Sequence, residues 1–406
     1  MASTFTPDLT ASPADSLMGT LRGHDYATLS VRSVNPKIFI LQKEIAPIYT
    51  VLKNMPRGAR VRQVKHEWNE RETLPHTTAI NNVAGYSNSD LTFVVDDEQY
   101  AHVGAFALFQ RTDGYEIVGP IESVSTGGST FTIVSGGRAE RGTSAEAVPD
   151  NTPVIFLRGT LAEGATAANP IVTLPANKYN YVEGVSTTYG VTEMFEASDT
   201  YANANKMSDL RPLKMKDHME EWEKRIHYGI RSLTDPGTGR PIYTMGGLIN
   251  QYITSTIETV TAAPETFSQI EWEVFIGRLF NYNTSSAEKT VFGSAEILRV
   301  IDSFKYEKLR LDPEDLMFSV KANSYQSSFG TVHMIHDRFL SAAYGHAWTA
   351  VALDLQNVAL RPYEPQVVKT GRPTNFAHET MEEIYESNTL EVMNQETHGI
   401  FKVRTS

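Results

Sequence analysis

The sequence contains no cysteine among its 406 residues. That absence excludes disulfides, thiol catalysis and thiolate metal sites, and it suits a protein made in a reducing cytoplasm. Apolar runs are also short, since none approaches the ~20 residues that a membrane-spanning helix needs. The N-terminal stretch lacks the basic start and the apolar centre of a secretory signal. We therefore expect a soluble protein with no membrane partner.

Basic residues are too few for a nucleic-acid binder. Lysine and arginine number 36 against 48 aspartates and glutamates, which gives a net charge of -12. Phosphate binding needs clustered Lys and Arg, and no basic stripe appears in the sequence. The hydrophobic share of 41% is ordinary for a globular protein. At this length the chain exceeds one compact core, so we expect two or three domains.

The common enzyme signatures are missing. Glycine-rich stretches at Gly127, Gly136 and Gly237 match neither the phosphate-binding loop nor the dinucleotide fingerprint, and they favour hairpin turns. No Gly-x-Ser-x-Gly elbow occurs. We predict no catalytic, cofactor-binding or metal-binding residue.

Two alternatives concern the histidines near the C-terminal third. His333 and His336 could bind a metal on a helix, but the alternating sequence around them favours a strand, where positions i and i+3 point to opposite faces. A hydrolase using His336 and Asp337 is the second alternative. Both are weaker interpretations than a structural strand.

The longest helical pattern lies in residues 206–248. Apolar residues recur there every three or four positions, which predicts a helix from Arg211 to Leu233, roughly 34 Å long at about 1.5 Å per residue. The stripe consists of Met207, Leu210, Leu213, Met219, Trp222, Ile226, Ile230 and Leu233. Pro212 fits only if it falls in the first turn. Acid-first pairs at i,i+4, Glu220 with Lys224 and Glu221 with Arg225, lie on the opposite face.

A long polar arm is predicted on both sides of a β block. Residues 61–90 and 160–206 alternate charged and polar residues with little apolar face, which is typical of extended chain without a core of its own. We interpret the mixed-sign run as an inter-subunit salt-bridge strip rather than a solvated surface. Its contact residues are Lys65, Glu67, Trp68, Glu70, Arg71 and Glu72.

Between these arms, residues 91–156 read as five short strands separated by turns, which predicts a small barrel or sandwich. Aromatic residues on this block could form a carbohydrate platform, although such residues are more often core. They are Phe106, Phe109, Tyr115, Phe131 and Phe156. After residue 248 the pattern becomes α/β, with helices at 267–280 and 294–304, and the last 40 or so residues predict a closing strand pair.

The order of these parts resembles the major capsid proteins of tailed bacteriophages with the Hong Kong 97-type fold, in a subgroup whose extended loop carries a small β domain. The stretches that carry the resemblance are KHEWNERETL at 65–74, RAERGTSAEAV at 138–148, EEWEKRIHYGI in the helix, MGGL at 245–248 and FGSAEILRVIDSF at 292–304. The resemblance covers nearly the whole chain and implies an α+β fold.

The implied domains follow that fold from end to end. They are an N-terminal arm (1–60, with 1–23 expected to be mobile), an extended loop (61–90 and 160–206), an inserted small β-barrel or sandwich domain (91–159), a spine helix that begins the peripheral domain (207–248), an axial α/β domain (249–362) and closing strands of the peripheral domain (363–406).

The resemblance also implies a function. The chain would be a structural major capsid protein, not an enzyme, that assembles as hexamers and pentamers into an icosahedral or prolate head shell. The shell would enclose the viral DNA without sequence-specific binding. Assembly would occur in the host bacterial cytoplasm, with portal, scaffolding and decoration proteins as further candidate partners. The alternative is a phage tail or adhesin component with a carbohydrate-binding β module.

In such a shell the charged face of the helix would not be free surface. We expect Glu220, Glu221, Glu223 and Arg225 to face neighbouring subunits or their arms. Trp222 and Ile226, on the apolar stripe, are expected to pack on the closing strands.

Overall fold

A computed structural model describes residues 46–55, 60–71, 77–96, 101–111, 114–125, 130–133, 147–157, 163, 173–198, 206–235, 237, 239–254, 256–261, 266–282, 286–304, 309–310, 316–317, 320–321, 323–371 and 378–404. The predicted mobile arm at 1–23 and the contact residue Glu72 lie outside these residues. No helix in the described part of the chain is both long and apolar enough to cross a membrane.

The described helices are α1 (Pro47–Asn54), α2 (Glu193–Ala197), α3 (Lys206–Tyr228), α4 (Gln269–Leu279) and α5 (Ala295–Asp302), with a short π-helix at Leu248–Tyr252 and 3-10 turns at Ala342–Tyr344 and Gln395–Thr397. The strands of the N-terminal half are β1 (Lys65–Glu70), β2 (Thr77–Ala79), β3 (Thr92–Val94), β4 (Phe106–Arg111), β5 (Gly114–Val124), β6 (Thr130–Ile133), β7 (Pro153–Leu157), β8 (Ala176–Tyr181) and β9 (Glu183–Thr192). Those that follow are β10 (Ser232–Thr234), β11 (Ile242–Thr244), β12 (Ile257–Thr261), β13 (Glu288–Gly293), β14 (Leu309–Arg310), β15 (Leu316–Met317), β16 (Val320–Lys321), β17 (Asn323–Gln326), β18 (Thr331–His336), β19 (Thr349–Leu353), β20 (Val358–Gly371), β21 (Glu379–Val392) and β22 (Gly399–Arg404).

The chain divides into two compact units. The major unit consists of Met1–His66 and Asn180–Ser406, and the minor unit is Glu67–Tyr179. The boundary between them falls within β1 and β8, which pair with each other as a two-stranded sheet.

The minor unit is built on one six-stranded antiparallel sheet with the order β2-β7-β4-β5-β6-β3. A bridge between Ile80 and Val95 joins the two edge strands just beyond their ends, so the sheet closes on itself. Closure removes the exposed edges that an open sheet would present. The five strands predicted between residues 91 and 156 are all present, as β3 to β7, and β2 is the sixth.

The major unit contains a seven-stranded mixed sheet with the order β12-β22-β19-β13-β18-β17-β14. α4 and α5 cover one face, where Trp272, Phe275, Ile297 and Phe401 belong to one buried cluster. The Ser268 hydroxyl accepts from the Glu271 amide, and the Glu271 carboxylate accepts from the Ser268 amide, so a capping box fixes the start of α4.

A second sheet of the major unit lies under α3. Its order is β20-β21-β9, and all pairs are antiparallel. The predicted closing strand pair is therefore wrong: β21 joins this sheet, whereas β22 joins the seven-stranded one. The chain changes direction between them at Asn394, which has a left-handed φ of 50°, and continues through the 3-10 turn. The last two strands thus tie two sheets together instead of pairing with each other.

α3 differs from the predicted helix at both ends. It begins at Lys206 and ends at Tyr228, so Pro212 lies in its interior rather than in the first turn. Because proline has no N–H, the helix lacks one backbone hydrogen bond there. Ile230 and Leu233 are more than half exposed and do not belong to the buried stripe.

The backbone packs closely around Gly229, the residue that follows the end of α3. A Cβ atom at Gly229 would lie 2.4 Å from the Met245 carbonyl oxygen and 2.6 Å from that of Arg225. The Gly247 amide donates to the Gly229 carbonyl at 2.9 Å. After this crossing the chain forms the hairpin β10–β11 instead of continuing as helix.

Candidate functional site

The strand pair β1–β8 contains the first group of predicted contact residues, four of them on β1. Lys65 and Glu67 are exposed, Glu70 is half-buried, and Trp68 is the only buried side chain on β1. The Trp68 indole donates its Nε1–H to the Glu70 carboxylate at 2.8 Å. A two-stranded ribbon is marginally stable in water without further support. This ribbon therefore offers a mostly polar surface with little core behind it.

Arg71, at the end of the same ribbon, is held by its neighbouring strand segment. Its Nε donates to the Thr173 carbonyl oxygen at 2.9 Å. Asn177 on β8 donates to Asn69 on β1 at 3.3 Å. These side-chain hydrogen bonds add to the backbone pairing of β1 with β8.

The second group of predicted contact residues lies on α3. Arg225 donates through Nε to Glu183 at 2.8 Å and through Nη1 to Glu221 at 2.9 Å, which joins α3 to β9. Lys224 pairs with Glu221 and not with Glu220 as the i,i+4 spacing predicted. Burial alone would raise the pKa of Glu221, but hydrogen bonds from Lys224 and Arg225 hold it below its usual value. Glu221 and Arg225 are thus engaged within the chain, while Glu220 stays half-exposed.

Glu223 is placed where the prediction did not put it. Its side chain is completely buried, and its two oxygens accept from the amides of Ile48 at 2.9 Å and Tyr49 at 2.7 Å. These are orphan N–H groups in the first turn of α1, so a carboxylate from α3 caps α1. A side chain that is inaccessible to solvent cannot face a neighbouring subunit, and we remove Glu223 from the contact set.

A histidine completes this buried cluster. His227 lies one turn after Glu223, and its Nε2 is 2.7 Å from Asp337 Oδ2 and 3.7 Å from Glu223 Oε1. Burial disfavours the charged imidazole, yet the two carboxylates outweigh it and raise the pKa of His227 to about 10. Burial, with the Asp337 charge, raises the pKa of Glu223 to about 7. The cluster ties α1, α3 and the segment after β18 into one electrostatic unit.

The ligand atoms of this cluster lie within 4.8 Å of one another, close enough for a metal to bridge them. Each is already used, however. Asp337 Oδ1 accepts from the Phe339 amide at 2.8 Å, and its Oδ2 lies at hydrogen-bond distance from His227. We therefore interpret the cluster as a structural ion pair.

A second buried network lies one turn earlier on α3. Tyr49 donates its hydroxyl to Glu386 at 2.6 Å, and the Lys53 ammonium lies 3.6 Å from the same carboxylate. Trp222 donates Nε1–H to His218 Nε2 at 3.2 Å, so that nitrogen is an acceptor and does not donate to Glu386. Burial would raise the pKa of Glu386, but the Lys53 charge and the hydrogen bond from Tyr49 act against it, and the pKa is lowered to about 2. Trp222 also stacks on Tyr49, with ring centroids 6.4 Å apart.

A match to a known protein family decides the class of this protein. The model of the family described as SU10 major capsid protein matches residues 18–405. The chain belongs to this family. The role of this capsid protein is structural: it contributes to a phage capsid shell and is found in the virion. No curated protein matches it.

Solved phage structures resemble this capsid protein over most of its length at low sequence identity. A chain from Microbacterium phage Oxtober96 is 8% identical, with a TM-score of 0.46, covering 94% of this chain and 98% of that one. A chain from the capsid of Myoviridae phage XM1 is 10% identical, with a TM-score of 0.43, covering 95% of this chain and 100% of that one. A chain from the capsid of a native GTA particle is 7% identical, with a TM-score of 0.42, covering 61% of this chain and 81% of that one.

The histidines considered for catalysis take no part in a shared site. His333 and His336 lie on β18, so the predicted strand is confirmed. His336 is exposed, whereas Asp337 is buried and bonded to His227, so these two neighbours do not form an acid–base pair. Sequence reasoning missed His227. Its i,i+4 spacing from Glu223 was a usable signal, but nothing local indicated Asp337.

The carbohydrate alternative loses most of its proposed platform. Phe109, Phe131 and Phe156 are at most 2% exposed and form the core of the minor unit, while Phe106 is half-buried. The side chain of Tyr115 lies outside the described residues. The structure therefore favours no second function for this block.

Proposed function

We propose that the chain is a shell subunit of the Hong Kong 97 type, with an N-terminal arm (1–60), an extended loop (61–90 and 160–206), an inserted domain (91–159) and a spine that begins at residue 207. The seven-stranded sheet, including β22, would form the axial region, and the β20-β21-β9 sheet would belong to the peripheral region. Hexamers and pentamers of the chain would enclose the DNA genome. α3 supports the spine assignment, because it is a helix of 23 residues that follows the ribbon and precedes the seven-stranded sheet along the chain. The closed sheet within the minor unit supports the inserted domain.

One observation carries the proposed mode of assembly. The β1–β8 ribbon buries a single side chain of β1, Trp68, and leaves Lys65 and Glu67 exposed. Such a ribbon gains stability by lying across another surface, and in a shell the neighbouring subunit supplies that surface. We propose that Lys65, Glu67, Glu70 and Arg71 contact neighbours, with Glu72 continuing the strip. On α3, Glu220 is the residue best placed to do so, since Glu221 and Arg225 already hold each other.

Electron microscopy of the purified full chain tests the class of assembly. Shells, tubes or capsomer rings are the expected result. A chain that stayed monomeric in every assembly condition, with residues 60–90 resistant to protease, would overturn the proposal. The swap Lys65→Glu with Glu67→Lys then tests the ribbon at constant net charge, and we expect it to reduce shell yield at least severalfold. The swap Arg278→Glu with Glu258→Arg, on an exposed pair elsewhere in the major unit, is the matched control and should assemble normally.

We further infer that the chain performs no enzymatic reaction and binds no cofactor, and that it assembles in the host bacterial cytoplasm. Portal, scaffolding and decoration proteins are proposed partners. The absence of cysteine fits assembly in a reducing compartment.

A further inference from the structure

A basic surface lies near one edge of the seven-stranded sheet, on β22, which is next to the edge strand β12. Along β22, Phe401 and Val403 belong to the buried cluster under α4 and α5. Because neighbouring side chains on a strand point to opposite faces, Lys402 and Arg404 lie on the other face. β22 thus presents two cations, two positions apart, on the side that these helices do not cover.

Hydroxyl groups flank these cations on both sides. In the parallel pairing with β12, Thr259 is the partner of Lys402 and Thr261 that of Arg404. Across β19, Thr349 is the partner of Lys402. Hydroxyls and cations on one face are the donors that an oxyanion requires.

A cavity of about 500 Å³ opens at this place. Its wall includes Lys402, Arg404, Thr349, Trp348 and His346, and no acidic residue lines it in the described part of the chain. Of the three threonines only Thr349 lines the cavity, and the two on β12 lie beside it. Burial, together with the Arg404 charge, lowers the pKa of Lys402. Burial and the Lys402 charge likewise lower the pKa of His346. The site therefore gathers basic groups that repel one another.

Three other cations of the major unit form ion pairs within the chain. Lys289 lies 2.8 Å from Asp354, and Arg211 and Arg361 pair with Glu382 and Glu391. Lys402 and Arg404, by contrast, form no ion pair with any residue that the structure describes. A half-buried lysine without a counter-charge is costly, and a bound carboxylate would offset that cost.

We propose that this basic cavity is an anion-binding site that receives a carboxylate-bearing segment of a second copy of the chain. Charge complementarity favours this occupant, because the chain carries 48 acidic against 36 basic residues. The volume is that of a small-ligand site and admits side chains. A DNA duplex, whose major groove alone is about 12 Å wide, is too broad to enter it. The inference rests on the proposed shell assembly and adds a contact apart from the ribbon.

Removal of the two charges is the first test. Lys402→Gln with Arg404→Gln should raise the protein concentration needed for half-maximal shell assembly at least threefold. Lys402→Arg, which keeps the charge, should assemble like the unaltered chain. The matched control is Arg278→Gln with Arg299→Gln, two cations on α4 and α5, the helices that cover the opposite face. Equal assembly of the cavity variant and this control would overturn the proposal.

A zero-length carbodiimide coupler applied to unaltered shells is the second test, and it does not depend on how a variant folds. The reagent joins a lysine amine only to a carboxylate in direct contact. In shells mixed from light and ¹⁵N-labelled chains, we expect Lys402 to appear in light–heavy crosslinks. Crosslinks of Lys402 within one chain only, or none, would overturn the proposal, and so would protection of Lys402 from amine reagents only in DNA-filled shells.

The two proposals can fail separately. If the unaltered chain forms no assembly, the proposed function fails. If it forms shells in which Lys402 contacts no second copy, the shell assignment stands and only the cavity proposal fails.

Discussion

The two compact units are stabilised by different kinds of core. In the minor unit the buried cluster is apolar, and Thr152 is the one buried polar side chain among its described residues. The major unit buries complete ion pairs, including the Glu223–His227–Asp337 cluster and the Lys289–Asp354 pair. An apolar core draws its stability from area and shape, whereas a buried ion pair gains little net energy but tolerates few alternative partners. The difference suggests that the minor unit needs only to be compact, while the major unit must hold its elements in one arrangement.

Loss of an aromatic ring from the minor unit should have the largest effect. Phe131 is fully buried and lies 5.6 Å from both Phe93 and Phe156 between ring centroids. We expect Phe131→Ala to lower the free energy of unfolding by roughly 3–5 kcal/mol, through lost transfer energy and a residual cavity. Hydrogen exchange read by mass spectrometry should show the loss of protection within residues 67–179. Equal loss throughout the major unit would contradict the idea that the minor unit has its own core.

A smaller effect is expected from Glu223→Gln in the major unit. Glutamine keeps one acceptor for the first turn of α1 but removes the charge beside His227 and introduces an amide N–H₂ where the carboxylate accepted. We expect a loss of roughly 1–3 kcal/mol, as for a buried polar group left without a partner. Urea unfolding measures it, with Glu220→Gln on the half-exposed face as the control. If both variants unfold at the same urea concentration, the capping role of Glu223 is wrong.

The buried charges should also make the free energy of unfolding of the major unit depend on pH. Each group whose pKa differs between the folded and unfolded states changes this free energy by up to about 1.4 kcal/mol per pH unit. The pKa of His227 is raised to about 10 in the folded protein. Its contribution to stability is therefore complete below the pKa of about 6.5 that it has in the unfolded chain, and it is lost as the pH rises from about 6.5 towards 10. The pKa of Glu386 is depressed to about 2, so its contribution is lost as the pH falls from about 4.5 towards 2.

Urea midpoints measured across this pH range test both losses of stability. His227→Gln should reduce the loss at alkaline pH and leave the loss at acid pH unchanged. Hydrogen-exchange protection in the core strands of the minor unit should change less with pH. An unaltered loss at alkaline pH in His227→Gln would show that another group is responsible.

The contrast between the two units also explains which features could be predicted from the sequence. The five strands of the minor unit were predictable because alternation and turn residues are local signals. The helices predicted at 267–280 and 294–304 were predictable for a similar reason, since the helical spacing of apolar residues is also a local signal, and they are present as α4 and α5. The contribution of Asp337 to a cluster on α3 was not predictable, because 110 residues separate it from His227 and only the tertiary fold brings them together. Glu223 was misplaced for the same reason: a helical wheel shows a charged face but not which part of it another helix covers.

The end of α3 and the partner of β22 show a further limit. Periodicity continued through Ile230 and Leu233, yet α3 ends at Tyr228, beside the point where the Gly229 and Met245 backbones approach too closely for a side chain at residue 229. Alternation also predicted β21 and β22 as strands, but strand pairing depends on which sheet edge is free. Local pattern thus predicted the elements and left their partners open.

Removal of an exposed charge on α3 should change the free energy of unfolding least. Glu221 bonds to Lys224 and Arg225, as Glu223 bonds to α1, but its side chain is 43% exposed. Solvent screening reduces such pairs to about 0–1 kcal/mol, so we expect Glu221→Gln to shift the free energy of unfolding by less than about 1 kcal/mol. Urea unfolding in low and high salt measures it, and the small shift should shrink further as salt rises. A loss as large as that of Glu223→Gln, or one that does not change with salt, would mean that burial is not what separates the two carboxylates. The ordering of the two variants therefore tests whether α3 is anchored by its buried face alone.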